Sequence, residues 1–151
     1  MNDSTLLAID RVLETSLCAP DLDAVEPFYR DVLGLRVIAR QPGRHVFFRC
    51  GQAMLLLFNP ARTAIEAVSI SGQPVPKHGT QGAGHVAFAV EAGALSTWRD
   101  RLRQAAVPIE AEIVWPQGGY SLYVRDPAGN SVELATPSIW PQLTDEAKPA
   151  V

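Results

Sequence analysis

Two stretches of the chain repeat one another, and an internal repeat constrains architecture more tightly than any single motif. The first runs VLETSLCAPDLDAVEPFYRDVLGLRV and on to GQAMLLLFNP; the second runs GHVAFAVEAGALSTWRDRLRQAAVPI and on to DPAGNSVELATP. Each opens on an alternating segment, passes into helical spacing, and ends in three further strand-like segments. Over 12–18 the residues alternate between two faces, as a strand requires. Asp21 is placed to cap a helix whose apolar stripe is Ala24, Val25, Phe28, Val32 and Leu33, and Gly34 stands where a left-handed C-terminal cap is wanted. Strands are expected over 35–40, 44–50 and 53–58. In the second unit the expected elements are a strand over 85–90, a helix over 94–106 with Leu95, Trp98 and Leu102 inward, and strands over 109–115, 119–125 and 131–135. The DPAGN turn precedes the last of these, with Pro127 presetting φ and Gly129 free to take a positive φ.

This order predicts an α+β fold: two βαβββ modules whose sheets form a curved half-barrel with the helices outside. It divides the chain into an N-terminal tail (1–10), a first module (11–59), a linker or active-site loop (60–83), a second module (84–137) and a C-terminal tail (138–151). The loop assignment rests on the Gly- and Pro-rich run SGQPVPKHGTQGAG.

With 151 residues, 47% of them apolar, the chain is large enough for one domain with a substantial core. A net charge of -3 and the lack of any basic run argue against nucleic acid or an anionic membrane as a partner. No segment reads as a signal peptide, and no apolar run approaches the roughly 20 residues of a membrane span. A cytoplasmic protein acting on a small molecule is the expectation. Cys18 and Cys50 lack CxxC spacing and read as structural thiols.

Laying one repeat on the other puts Glu14 at the place of His85 and Leu56 at the place of Glu133. Singly, Glu14 or Glu133 reads as a solvated strand residue, and His85 as a hydrogen-bonded one. Together they are three ligand types at equivalent strand positions, flanked on their own faces by small residues such as Ser16, Ala87, Ser131 and Ala135. Two carboxylates and an imidazole make a facial set for a divalent first-row metal with open positions. Around them, His78 in the loop, Trp115, Tyr123 and Arg125 on the strands leading to Glu133, and Phe47 are candidate substrate contacts. Arg125 has a competing role bracing the turn beside Asp126. Phe47 and Phe48 must face opposite ways, and His45 is expected at the surface.

FYRDVLGL and DPAGNSVEL, with GHVAFAV between them, closely resemble signatures of the vicinal oxygen chelate superfamily. That superfamily includes glyoxalase I, methylmalonyl-CoA epimerase, fosfomycin-resistance enzymes, extradiol dioxygenases and metal-free bleomycin-resistance proteins. The likeness spans about residues 12–136 and implies the glyoxalase/bleomycin resistance/dioxygenase fold. It also implies metal ligands from the first and last strand of each module, which fall here on Glu14, Leu56, His85 and Glu133. Leu56 cannot ligate, leaving Glu14, His85 and Glu133. A set with this much carboxylate suits Mn²⁺, Fe²⁺ or Mg²⁺, with Zn²⁺ and Ni²⁺ also accommodated. The resemblance implies a glyoxalase-like lyase or isomerase in which Glu133 or Glu14 carries a proton. An extradiol-type dioxygenase and a metal-free binding protein are the alternatives. It further implies a homodimer, with the site inside one chain or shared between two.

Overall fold

The computed structural model describes residues 9–143. In chain order the elements are β1 (Glu14–Cys18), α1 (Leu22–Pro27) running into a wide helical turn over Phe28–Val32, β2 (Arg36–Gln41), β3 (His45–Cys50) and β4 (Ala53–Phe58). A short α2 (Pro60–Thr63) and a hairpin of β5 (Val68–Ile70) and β6 (Gln73–Val75) follow. Then come β7 (His85–Ala89), α3 (Leu95–Gln104), β8 (Ala111–Val114), β9 (Tyr120–Arg125) and β10 (Ser131–Ala135). Two 3-10 turns, Pro137–Ile139 and Pro141–Leu143, complete the described chain. The α+β class is as the repeat implies.

The repeat is visible strand by strand. One sheet has the order β1-β4-β3-β2 and the other β7-β10-β9-β8. In each, the first strand lies parallel to the last and the rest pair antiparallel. Ser16 pairs with Leu56, and Ala87 pairs with Glu133. Glu14 and His85 therefore each stand two residues ahead of the partner of Leu56 or Glu133, on the same face. The equivalence read from the sequence is a physical register.

Local chemistry explains the first helix. Asp21 accepts a hydrogen bond from the Ala24 amide at 3.1 Å, the N-cap its side chain is suited to make. Pro27 has no amide hydrogen to donate, and beyond it the helix widens to a turn closed by Leu33 N–H to the Phe28 carbonyl at 3.0 Å. The buried face is Leu22, Val25, Phe28, Tyr29 and Leu33, while Ala24, expected inward, is exposed, because helical spacing from Leu22 passes through Val25 and Tyr29 and leaves Ala24 to one side. Gly34 takes φ 76° just past the end.

A single apolar core joins the modules. Leu17, Val25, Phe28, Phe48 and Leu57 of the first pack with Leu102, Leu122, Val124, Val132 and Leu134 of the second. Polar bonds reinforce the joint. Tyr29 donates to Asp126 at 2.8 Å, Asn130 Nδ2 donates to the Cys18 carbonyl at 3.1 Å, and Arg101 donates to the Asp31 carbonyl at 2.9 Å. Burial and the Asp126 carboxylate hold the Tyr29 phenol protonated far above its ordinary range.

Two expectations need correction. The segment 60–83 is not simply a loop: α2 and the β5–β6 hairpin lie within it, turned by Ser71 (φ 51°) and Gly72 (φ 80°) in the manner of a two-residue hairpin. Its strands are three residues each, one containing Pro74, so they carry no legible alternation. The segment expected as a C-terminal tail carries the 3-10 turns Pro137–Ile139 and Pro141–Leu143, with Ile139 buried. Gly119 permits this, because a Cβ there would stand 2.7 Å from Ile139. As the expected half-barrel of two modules requires, the two four-stranded sheets are open and, among the described residues, each pairs within itself. The expected arm over 1–10 lies almost wholly outside the described residues, and among those described no helix is long and apolar enough to cross a membrane.

Asp126 is 3% exposed and accepts four bonds: the Ala128 and Asn130 amides on Oδ1, Tyr29 and Asn130 Nδ2 on Oδ2. Asp126→Ala strands these donors in the interior and is expected to destabilise the fold by about 3 kcal/mol in urea unfolding, whereas Tyr29→Phe, which keeps the ring, costs about 1 kcal/mol.

Candidate functional site

The second sheet presents His85 and Ala87 from β7, Ser131 and Glu133 from β10, and Ser121 and Tyr123 from β9 on its concave face. Pairing sets their neighbours: Glu133 lies between Ala87 and Tyr123, and His85 lies beside Ser131. Ala87 and Ser131 are too small to fill the hollow. A cavity of about 270 Å³ remains, lined by His85, Trp115, Gln117, Tyr123, Glu133 and Trp140 among others. The C-terminal turn closes one side, where Gln117 Nε2 donates to the Ile139 carbonyl at 3.2 Å.

Hydrogen bonding here fixes both orientation and proton positions. An indole N–H only donates, so Trp115 Nε1 gives its proton to Ser121 Oγ at 2.8 Å. The fully buried Ser121 hydroxyl in turn donates to Glu133 Oε1 through a short bond. This two-step wire pins one oxygen of a carboxylate whose residue is only 4% exposed, leaving Oε2 toward the cavity. There Oε2 faces His85 Nε2 at 3.3 Å. His85 Nδ1 lies 3.1 Å from the Ser131 carbonyl, which can only accept, so Nδ1 carries a proton and, in the neutral ring, Nε2 carries the lone pair. Two lone pairs then point at one another, an arrangement that wants a proton or a cation between them. Burial first, and then the Glu133 carboxylate, raise the pKa of the adjacent Tyr123 phenol.

The first sheet builds a second hollow. Glu14 and Ser16 of β1, Leu56 and Phe58 of β4, Phe47 of β3, and His78 beyond the hairpin line a cavity of about 550 Å³. Phe47 faces this cavity while Phe48 lies fully buried in the core, as their adjacency requires. Leu56 occupies the place that Glu133 holds in the other sheet. His45 is not a plain surface residue: it stacks on Phe47 with ring centroids 4.1 Å apart, and burial, then Arg44, lower its pKa.

Glu14 thus lines one hollow, and His85 with Glu133 lines the other; among the described residues none lines both. Among the described residues, no three His, Cys, Asp or Glu side chains gather where a metal ion could be held. Convergence of all three at one point does not occur within this single chain. The physical reason is that the modules join through their core and the Asp126 hub, so each concave face remains open. Of the candidate substrate contacts, Trp115 and Tyr123 stand beside Glu133, and Phe47 and His78 stand beside Glu14. Arg125 belongs to neither group: it pairs with Glu110 at 2.5 Å and donates to the Gly129 carbonyl at 3.2 Å, bracing the turn. Cys18 and Cys50 are free thiols, both partly buried. Sequence reasoning placed Ser121 on the face of Tyr123 without giving it a role, and overlooked Trp140. Ser121 was legible from register with Tyr123, but Trp140 sits in a tail without periodicity.

Ser121→Ala removes the middle of the wire and leaves the Trp115 indole N–H and Glu133 Oε1 without partners. A loss of about 2 kcal/mol is expected in denaturant unfolding. Combined with Trp115→Phe, the cost should be smaller than the sum of the single changes, since both remove the same bond.

Comparison with known proteins agrees with this architecture. Residues 8–134 match the model of the Glyoxalase/Bleomycin resistance protein/Dioxygenase superfamily. A Pseudomonas aeruginosa protein, PA2024, is 32% identical over 128 residues, covering 80% of this chain and 84% of that one. The crystal structure of a lactoylglutathione lyase from Agrobacterium tumefaciens superposes with a TM-score of 0.80 at 42% identity, covering 88% of this chain and 98% of that one. The fosfomycin resistance protein FosX from Mesorhizobium loti shares the fold, with a TM-score of 0.62 at 16% identity over 90% of this chain and 99% of its own. Register, repeat and family match agree: the chain belongs to the Glyoxalase/Bleomycin resistance protein/Dioxygenase superfamily.

Proposed function

We propose that this protein is a metal-dependent lyase or isomerase acting on a small substrate with two adjacent oxygens, and that its site is completed between two copies of the chain. The facing lone pairs of His85 Nε2 and Glu133 Oε2 carry this reading. The donor set fits a divalent cation: Ser131 fixes the tautomer of the imidazole, Ser121 holds the other carboxylate oxygen, and both outer contacts are of the kind that orient metal ligands. Glu14 of a second copy would supply the third donor, giving two carboxylates and an imidazole, suited to Mn²⁺, Fe²⁺ or Mg²⁺ and tolerant of Zn²⁺ or Ni²⁺. When bound, such an ion polarises adjacent substrate oxygens and stabilises charge developing on them.

The protein groups then divide the remaining work. A carboxylate, Glu133 through Oε2 or Glu14, takes a proton from the carbon beside a carbonyl and returns it to the neighbouring carbon. Tyr123, its phenol kept protonated, is placed to donate to an oxygen gaining charge. Trp115 and Trp140 exclude water from one side. The 42% identity to a protein described as a lactoylglutathione lyase supports this class over ring cleavage.

Pairing of two copies is supported by the free edges and rims. Among the described residues β1 and β7 each pair on one side only. Val12 and Leu13 just before β1, Val114 at the end of β8, and Trp140 and Leu143 in the C-terminal turns stand exposed, Val114 at 70% and Leu143 at 76%, apolar surface that suits burial by a second molecule. The aromatic lining of the first hollow also suits a metal-free binding protein, the second reading, which differs in its metal content.

Metal analysis of purified protein, with His85→Ala, Glu133→Gln and Glu14→Ala alongside, tests the site. Wild type should carry close to one divalent ion per chain, and each variant should bind it at least about tenfold more weakly. Mixing refolded Glu14→Ala and Glu133→Gln chains tests sharing. If the site spans two copies, about half the dimers are hybrid and one of their two sites is intact, so about a quarter of wild-type metal content returns. No recovery in the mixture rejects the shared site, and equal, negligible metal in all preparations rejects the metalloenzyme.

A further inference from the structure

We infer that the substrate carries a neutral aromatic or apolar group, seated in the first hollow, and is not an adduct of glutathione. This rests on the proposed reading of the site and names its substrate class. The hollow at β1 and β4 has two unlike sides. On β1 stand the carboxylate of Glu14 and, two residues on along the same face, the hydroxyl of Ser16. Opposite them, Phe47 and Phe58 meet edge to face with centroids 5.4 Å apart, and Phe58 meets the His78 ring in the same way at 4.5 Å. Leu56, Ile70 and Val75 complete that wall. A planar ring placed there finds the edges and faces that aromatic groups favour, and about 550 Å³ is ample for one or two rings. The polar end of such a molecule would lie toward Glu14.

Charge decides against glutathione. That tripeptide presents two carboxylates and an ammonium group, and holding it calls for paired cations. Neither hollow has a lysine or arginine in its lining among the described residues, so joining the two between copies brings none. Arg44 and Arg62 are paired with Glu66, Arg125 with Glu110 and Arg99 with Glu112, while Arg49, in line with Glu14 across the first sheet, is held to the Gly51 carbonyl and, like Arg36 beside it, lies outside the lining of the hollow. Lys77, next to His78, is exposed and lines neither hollow. Glu14 and Glu133 would repel the carboxylates of such a substrate, and one bound divalent ion would do no more than balance them. The hairpin residues Ile70 and Val75 are 64% and 40% exposed, which leaves apolar surface available to a ligand entering beneath them.

Equilibrium dialysis of the full-length protein, both metal-stripped and Mn²⁺-loaded, against benzoin and against S-hexylglutathione tests the inference. Benzoin is neutral, carries two aryl rings and has adjacent oxygens; the glutathione derivative has an apolar tail but keeps its charges. Benzoin should bind at least about tenfold more tightly in both preparations. Phe47→Leu, which keeps bulk but loses the ring, should narrow that ratio, and Val75→Arg, which puts a cation on the exposed rim, should raise affinity for S-hexylglutathione. Equal or tighter binding of S-hexylglutathione by the wild type, no binding of either probe, or an unchanged ratio in both variants overturns the inference. Because the ratio is read without metal as well as with it, loss of the metal site leaves this result standing, and an inverted ratio in protein that binds metal removes this inference alone.

Discussion

A buried carboxylate holds this molecule together at the point where its halves meet. Asp126 begins the DPAGN turn, and its two oxygens accept from Ala128, Asn130 and the hydroxyl of Tyr29, ninety-seven residues away. Burying a carboxylate is costly unless each oxygen finds donors, and here they do. One consequence is local: the turn is fixed, so β10 starts in register and Glu133 arrives between Ala87 and Tyr123. The other is global, because Tyr29 belongs to the widened helical turn of the first module. That turn follows directly on Pro27 and is closed by the Leu33 amide on the Phe28 carbonyl, so the local bonding of the helix end sets where Tyr29 stands at the joint.

The same sheet design yields two different hollows because a few inward residues differ. At the equivalent places one sheet carries His85 and Glu133, the other Glu14 and Leu56. A buried carboxylate needs donors, and the second sheet supplies Ser121 backed by Trp115. Leucine needs none, and the first sheet surrounds it with Phe47 and Phe58. Polar chemistry and apolar recognition are thereby segregated between modules. On the proposed reading, two copies are what bring them face to face.

Much of the architecture was legible in one dimension. The alternation around His85 and Glu133, the cap at Asp21 and the turn before Ser131 all depend on neighbours in sequence, and local sterics and hydrogen bonding decide them. Element ends shifted by one or two residues, as fraying ends do. The β5–β6 hairpin escaped notice because three-residue strands are too short to show a period, and the ordered turns after Pro137 because their anchor, Ile139, packs against Gly119 in a distant part of the chain.

By itself the sequence determined the repeat, the strand faces and hence that Glu14 and His85 occupy equivalent positions, with Glu133 on the same face as His85. It could do so because a strand's period of two is a property of the backbone. Only the tertiary structure decided which of these side chains meet. The pairing of Glu133 with His85 and Ser121 comes from strand register, and the separation of Glu14 from them comes from modules joined through a common core rather than through a continuous sheet. Those are consequences of long-range packing, which no local pattern in the chain encodes.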